Sequence, residues 1–245
     1  MRLLLKLKAN GDYVYDPSIN HKIQGFIYDN LANSFFGDLH NKPGSKYFCF
    51  SNIFPIGNIK KDSEVNLIIS SPIREIIDII AKRLHSLKVV NFGDYSFNLT
   101  HYKKFFIKIG NKVKLINSTP IILRIPKEKL NSKALKSRKF EYYYWRKGFD
   151  LNLFLEQLNE NLKKKYYNFY GIREEIPNVF EQIKFKGEVS PMVQINGKNV
   201  KMIGSYWELS TTLLDSKLKH FVKFIIDTGL GEMNSLGFGF VNEAL

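Results

Sequence analysis

Cysteine is almost missing from this 245-residue chain: Cys49 stands alone, inside an apolar run. A single thiol excludes an internal disulfide and a zinc site built from cysteines, and the setting of Cys49 points to a buried structural residue. Acidic residues are also short, 23 against 37 Lys and Arg, which leaves a net charge of +14. Such a balance favours a polyanionic partner. The basic residues are spread along the chain instead of gathered in one amphipathic helix, which disfavours an anionic membrane. No stretch approaches eighteen uninterrupted apolar residues, so no membrane-spanning helix is expected. Met1 to Ala9 alternates leucines with Arg2, Lys6 and Lys8, unlike a secretory leader. A cytoplasmic location and no membrane partner follow as expectations. Neither a carboxylate cluster nor a His-Glu-x-x-His pattern is present, which disfavours a metal-dependent nuclease, and no Gly-Lys-Ser/Thr follows a glycine run. No metal and no cofactor are expected.

What the chain does hold is a large apolar fraction, 44%, with 20 Phe and 13 Tyr. Leu3, Leu5 and Leu7 alternate with charged residues, the period of a strand. Ile19, Ile23, Phe26, Ile27, Leu31 and Phe35 form a helical stripe that ends near Gly37. Lys46 to Phe54 and Val65 to Ile69 read as strands. Ser71-Pro72 opens a second helix with Pro at its first position, and Ile73, Ile76, Ile77, Ile80, Leu84 and Leu87 supply its stripe. Strand-like segments continue to about Ile116. The second half repeats this order. Ile121 to Ile125 is a strand, and Lys127 to Lys139 a basic loop. A helix capped by Asp150 follows, with a strand at Phe180 to Val189. A hairpin turns at Asn196-Gly197, and a last helix and strand end the half. Each half is β-α-β-β-α-β, the ferredoxin-like, RRM-like unit. The predicted fold is α+β, two tandem ferredoxin-like domains, residues 1–117 and 118–245, the second carrying a glycine-rich loop.

That loop is Gly229-Leu230-Gly231-Glu232-Met233-Asn234-Ser235-Leu236-Gly237-Phe238-Gly239-Phe240. It sits between the last helix and the last strand, here read as Phe238 to Val241. Dinucleotide and P-loop glycine motifs run strand, loop, helix, so this inverted order argues against a nucleotide cofactor. From the residues alone two readings stand: a helix C-cap at Gly229 followed by a tight turn, or a concavity of exposed N–H groups for an anion.

Among the five histidines, His21, His85, His101 and His220 fall on elements where surface or satisfied histidines are the rule. His40 lies in a polar and basic loop, Asp38 to Lys46, just past the first helix, and loops held by rigid elements are where function concentrates. Tyr28 falls about 130° from the centre of the first helix's apolar stripe, so its phenol faces solvent or a ligand on the same side as His21. Lys46, taken by itself, is an ordinary solvated lysine. Lys133, Lys136, Arg138, Lys139, Arg146 and Lys147 surround Tyr142-Tyr143-Tyr144-Trp145. Cations interleaved with aromatics suit RNA phosphates and bases, although at least two of the four rings are expected to pack in a sheet. Lys163-Lys164-Lys165 favours a helix C-terminal dipole.

The Gly-apolar-Gly pair spaced by five residues near the C-terminus resembles the glycine-rich loop of the RAMP superfamily, and within it the CRISPR endoribonucleases that cut repeat transcripts into guide RNAs. Ser118-Thr119-Pro120-Ile121-Ile122-Leu123-Arg124 is similar to the strand that opens the second domain in that family. The resemblance implies two ferredoxin-like domains and a metal-independent cut by a ribose 2′-OH, leaving a cyclic phosphate or 3′-phosphate and a 5′-OH. It also implies a site of Tyr on the first helix, His in the loop after it, and Lys a few residues beyond. Tyr28, His40 and Lys46 match that order. His40 is then the proton-transfer group, more as acid than base; Tyr28 orients or deprotonates the 2′-OH; Lys46 stabilises the phosphorane. Lys133, Lys136, Arg138 and Lys139 are expected to contact RNA, and Gly229, Gly231, Gly237 and Gly239 to lie against the RNA backbone or the domain interface. The partner is CRISPR repeat RNA, single-stranded or stem-loop, with effector-complex subunits and a homodimer left open. A non-catalytic RNA-binding subunit of an effector complex is the competing reading, and an RRM-like module, whose signature is only partly echoed at Gly237 to Val241, is a third.

Overall fold

Leu3, Leu5 and Leu7 turn into the interior of strand β1 (Arg2–Ala9) while Lys6 faces water, as a side-chain period of two requires. The structure is a computed structural model that describes residues 1–130, 140–172, 175–176, 178–195, 197–212 and 215–244. After β1 the N-terminal half runs α1 (Ile19–Leu31), β2 (Cys49–Phe50), β3 (Glu64–Ser70), α2 (Arg74–Leu84), β4 (Val89–Phe92) and β5 (Tyr95–Phe105). These strands form one antiparallel sheet in the order β2-β3-β1-β5-β4. With β4 as an extra edge strand, β5-β1-β3-β2 is the strand order of a ferredoxin-like unit. Ile23 and Ile27 of α1 and Ile76, Ile77 and Ile80 of α2 are buried in a common core with β1 and β3.

The C-terminal half runs β6 (Lys112–Asn117), β7 (Ile121–Ile122), β8 (Arg124–Pro126), β9 (Tyr142–Tyr144), α3 (Leu151–Tyr170), β10 (Gln182–Val189), β11 (Met192–Ile195), β12 (Lys198–Lys201), β13 (Gly204–Thr212), α4 (Ser216–Thr228) and β14 (Val241–Glu243). Its main sheet is β10-β13-β6-β14, with β7 also on β13. This is the same order again, with β11-β12 inserted as a hairpin. The fold is therefore two ferredoxin-like units in tandem.

Several expected boundaries move. The strand that opens the second unit is β6, not the stretch 121–125, so pairing puts β6 on the C-terminal side of a division expected near residue 118. The helix expected from Ser71-Pro72 begins at Arg74, because Ile73 is still extended. Helix α1 stops at Leu31, where the Ser34 hydroxyl donates to the Leu31 carbonyl and accepts from the Phe36 N–H. That local bonding ends the turn and leaves Phe35 88% exposed, off the core stripe. The last strand starts at Val241, because Gly239 takes a left-handed φ of 67° that no strand accommodates. Among the described residues, no helix is long and apolar enough to cross a membrane.

The two units are joined by more than apolar contact. Arg2, 1% exposed, reaches from β1 into the other half, donating to Asn242 Oδ1 (2.5 Å), Val241 O (2.5 Å) and Ile226 O (3.0 Å) while its guanidinium covers the Phe240 ring at 4.5 Å. A planar fork suits several acceptors at once, as a lysine would not. Replacing it leaves buried acceptors without donors. Arg2→Met should cost about 3 kcal/mol in chemical denaturation, and a loss under about 1 kcal/mol would mean that these bonds do not hold the halves together.

Candidate active site

Three of the expected residues meet at one end of α1. His40 closes a single 3-10 turn, Gly37–His40, pinned by the buried Leu39 beside it, and its imidazole is exposed. Its Nδ1 lies 3.2 Å from Asn41 Oδ1. The Tyr28 ring stands edge-on to it, centroids 4.8 Å apart at 85°, and meets Phe48 on another side. Lys46 Nζ donates to the His40 carbonyl at 3.0 Å and to the Lys42 carbonyl. Partial burial lowers the Lys46 pKa. Tyr28 is not turned to open solvent: it is half-buried, and its hydroxyl faces Ser235 in the glycine-rich loop. Burial raises its pKa, so the phenol stays protonated. His85 and His220 are engaged elsewhere, with the hydroxyls of Tyr102 and Tyr170.

The glycine-rich loop is a packed object. Gly229, Gly231, Gly237 and Gly239 are all buried. A Cβ on Gly239 would lie 1.8 Å from the Leu230 carbonyl oxygen, and one on Gly231 would lie 2.5 Å from that of Ile122. The four glycines let backbone pack on backbone, and the less buried Glu232 to Leu236 form the loop's outer edge. Lys133, Lys136, Arg138 and Lys139 lie outside the described residues. Of the four aromatics at 142–145, Trp145 is core and Tyr142 is 39% exposed under the Arg124 guanidinium.

Lys165 was expected only to favour a helix dipole, yet it holds this loop. Its amino group, on a side chain 5% exposed, donates to Gly229 O (2.7 Å), Gly231 O (3.0 Å) and Asn234 Oδ1 (3.0 Å). Asn234 in turn donates to Leu230 O (2.9 Å) and Phe238 O (3.0 Å). One lysine and one amide thus satisfy the carbonyls that the glycine turns leave unpaired. Three consecutive lysines give no sequence signal for which of them turns inward; only the α3 register decides it. Burial brings the Lys165 pKa down to about 7.

Beside this assembly runs a cleft of about 640 Å³ between the two halves, walled by residues 44–48, Arg124, one face of α3 and the loop from Gly231 to Ser235. Its acids are occupied: Glu232 pairs with Arg124, and Glu160 with Lys129. Lys46 and Lys164 add positive charge to its wall. Lys46 and Phe48 line the cleft and touch His40 and Tyr28, so an exposed imidazole, a neutral phenol and an ammonium group stand beside it, the residue types for proton transfer and charge stabilisation at a phosphate.

The family described as "CRISPR associated protein Cas6, C-terminal" matches residues 101–243. A relative from Methanocaldococcus jannaschii, named CRISPR-associated endoribonuclease Cas6 2, is 38% identical over 99% of both chains. Another from Haloferax mediterranei, named CRISPR-associated endoribonuclease Cas6, is 25% identical over 99% of this chain and 93% of its own. Among solved structures, one described as CRISPR associated protein Cas6 superposes with a TM-score of 0.74 at 24% identity, covering 100% of this chain and 99% of its own. One described as a RAMP protein binding different RNA substrates gives 0.72 at 19%, over 100% of both chains.

A buried lysine of lowered pKa has a stability signature. Between about pH 7 and the ordinary lysine value of 10.5, the unfolded chain keeps a proton that the folded chain has lost, so folding stability rises with pH across that window. Wild type should therefore gain stability relative to Lys165→Met between pH 7 and pH 9.5 in denaturant titrations. A difference that is flat or falls with pH would contradict this burial of Lys165.

Proposed function

The chain belongs to the Cas6 family of CRISPR-associated endoribonucleases, and from that premise we propose that it cuts CRISPR repeat transcripts into guide RNAs at a site made of His40, Tyr28 and Lys46. The observation that carries this site is the convergence of the Tyr28 ring on His40, with the Lys46 amino group bonded to the His40 carbonyl. Two segments twelve residues apart, a helix face and a loop, bring imidazole, phenol and ammonium to one place.

The roles follow from the surroundings. With Nδ1 engaged by Asn41, His40 meets the substrate through Nε2. There it protonates the leaving 5′ oxygen, a step suited to an imidazole near neutral pH. Tyr28, kept neutral by burial, orients the 2′-OH as a hydrogen-bond partner; as the 2′ oxygen bonds phosphorus its proton passes to solvent water, and the P–O5′ bond breaks with the His40 proton going to the 5′ oxygen. Lys46 spends two of its N–H groups on the loop and keeps one for the charge that develops on the phosphorane. The cut leaves a cyclic phosphate or 3′-phosphate and a 5′-OH. The reaction needs no metal, because each charge it develops has a side chain to meet it. Requirement for the 2′-OH restricts it to RNA.

Single-turnover cleavage of end-labelled repeat RNA in EDTA tests this reading. Wild type should cut, His40→Ala should be slower by about 10²–10⁴-fold, and RNA with one 2′-deoxy residue at the cut should be inert. Cleavage that depends on added metal would contradict the mechanism, undiminished cleavage by His40→Ala would remove His40 from the site, and tight binding without any cleavage would make the protein a non-catalytic RNA-binding subunit.

A further inference from the structure

Helix α3 turns one polar face to the cleft: Gln157, Asn161, Lys164 and Asn168 follow one another at helical spacing along its wall. Gln157 and Asn161 are half-buried, and their side-chain oxygens, Oε1 and Oδ1, are shut from water with no hydrogen-bond partner. Unsatisfied buried acceptors are rare and costly. Here two of them sit one helical turn apart in the wall of the same cleft. The terminal torsion of an amide side chain is broad and roughly two-fold, so a half-turn of the amide exchanges its nitrogen for its oxygen and can turn the oxygen to the cleft.

Tyr47 lines the same cleft. It is a non-glycine residue at φ 54°, a conformation that costs energy, and its backbone is held there by the Ser71 hydroxyl, which donates to the Tyr47 carbonyl at 2.7 Å. Its ring is half-buried on the cleft wall and braced edge-on by Phe169, centroids 4.9 Å apart. A braced aromatic ring, two acceptors in want of donors, and lysines for phosphate are the parts of a single-stranded base site. Lys46 lies directly before Tyr47 in the chain and also lines the cleft, as does Ser235, the Tyr28 partner.

We propose that this cleft binds one nucleobase of the RNA next to the cut, stacked on Tyr47 and read through its exocyclic amino group by Gln157 and Asn161. Two acceptors side by side select an –NH₂ group, whose two hydrogens serve both; adenine, cytosine and guanine carry one and uracil does not. The inference rests on the reading of the chain as a repeat-cutting nuclease and adds which base chemistry it admits. Lys164 steers the phosphate chain of that nucleotide without regard to sequence.

The test takes a repeat RNA and replaces each of the three nucleotides on either side of the cut, one at a time, by all four bases. Single-turnover cleavage is measured, together with binding of the uncleavable 2′-deoxy form. In wild type, one position should disfavour uracil by at least about tenfold. In Gln157→Leu/Asn161→Leu that penalty should fall to within about twofold, with the other positions unchanged and the melting temperature equal or higher, since two unpaired polar groups are gone. The two single variants serve the same purpose should the double variant fold poorly, each removing part of the penalty. A general slowing at every base would be a structural effect and would overturn the inference. So would a base profile that the variants share with wild type, with the nuclease reading left intact. A wild type that neither cuts nor discriminates among any of these RNAs would overturn both.

Discussion

The structure of the site depends on one buried lysine amino group. Lys165 binds the carbonyls of Gly229 and Gly231 and the amide oxygen of Asn234, and without those three bonds the glycine-rich loop would carry unpaired carbonyls in its interior. The glycines make the arrangement possible by letting the strands of the loop approach to distances that a methyl group would forbid. Held this way, the loop has a fixed outer edge, and Ser235 on that edge meets the Tyr28 hydroxyl of the other half. Gly237 packs on Phe50 and Asn20, also of the N-terminal half. The loop is therefore where the C-terminal unit grips the N-terminal one.

Division of labour between the units follows. In the proposed site the N-terminal unit supplies the groups for chemistry, all within Tyr28 to Lys46. The C-terminal unit supplies the wall of the cleft, through α3, and the loop that sets the phenol. Arg2 makes the same kind of join from the opposite direction, a cation from β1 bonded to carbonyls near the end of the chain. Charged side chains buried against carbonyls recur on both sides of the interface, and each is directional. Apolar contact would hold the units together, but it would not fix the loop edge against the end of α1 as these bonds do.

Much of this was legible in the sequence. Alternating leucines gave β1, the isoleucine stripe gave α2, and the element order gave the tandem fold. The proposed site draws on His40 as a loop histidine past a helix, and on Lys46 and Tyr28 only through the family resemblance, since each alone reads as an ordinary surface residue. The interior role of Lys165 was not legible, because its neighbours Lys163 and Lys164 have the same chemistry and only the packing of α3 distinguishes them. For the glycines a sequence shows the freedom of φ but not what fills the space beside them, so it leaves RNA backbone and domain interface both open. Helix α1 ended before Phe35 for a reason as local as one Ser34 hydroxyl, which a periodicity count does not weigh.

In the proposed site the glycine-rich loop acts on the chemistry through the approach of Ser235 to the Tyr28 hydroxyl. A double-mutant cycle of Ser235→Ala and Tyr28→Phe in single-turnover cleavage of repeat RNA measures it directly. The account predicts that each single variant slows cleavage and that the double variant is no slower than Tyr28→Phe alone. Rate losses that simply multiply would mean that loop and phenol act independently, and the claim would fail.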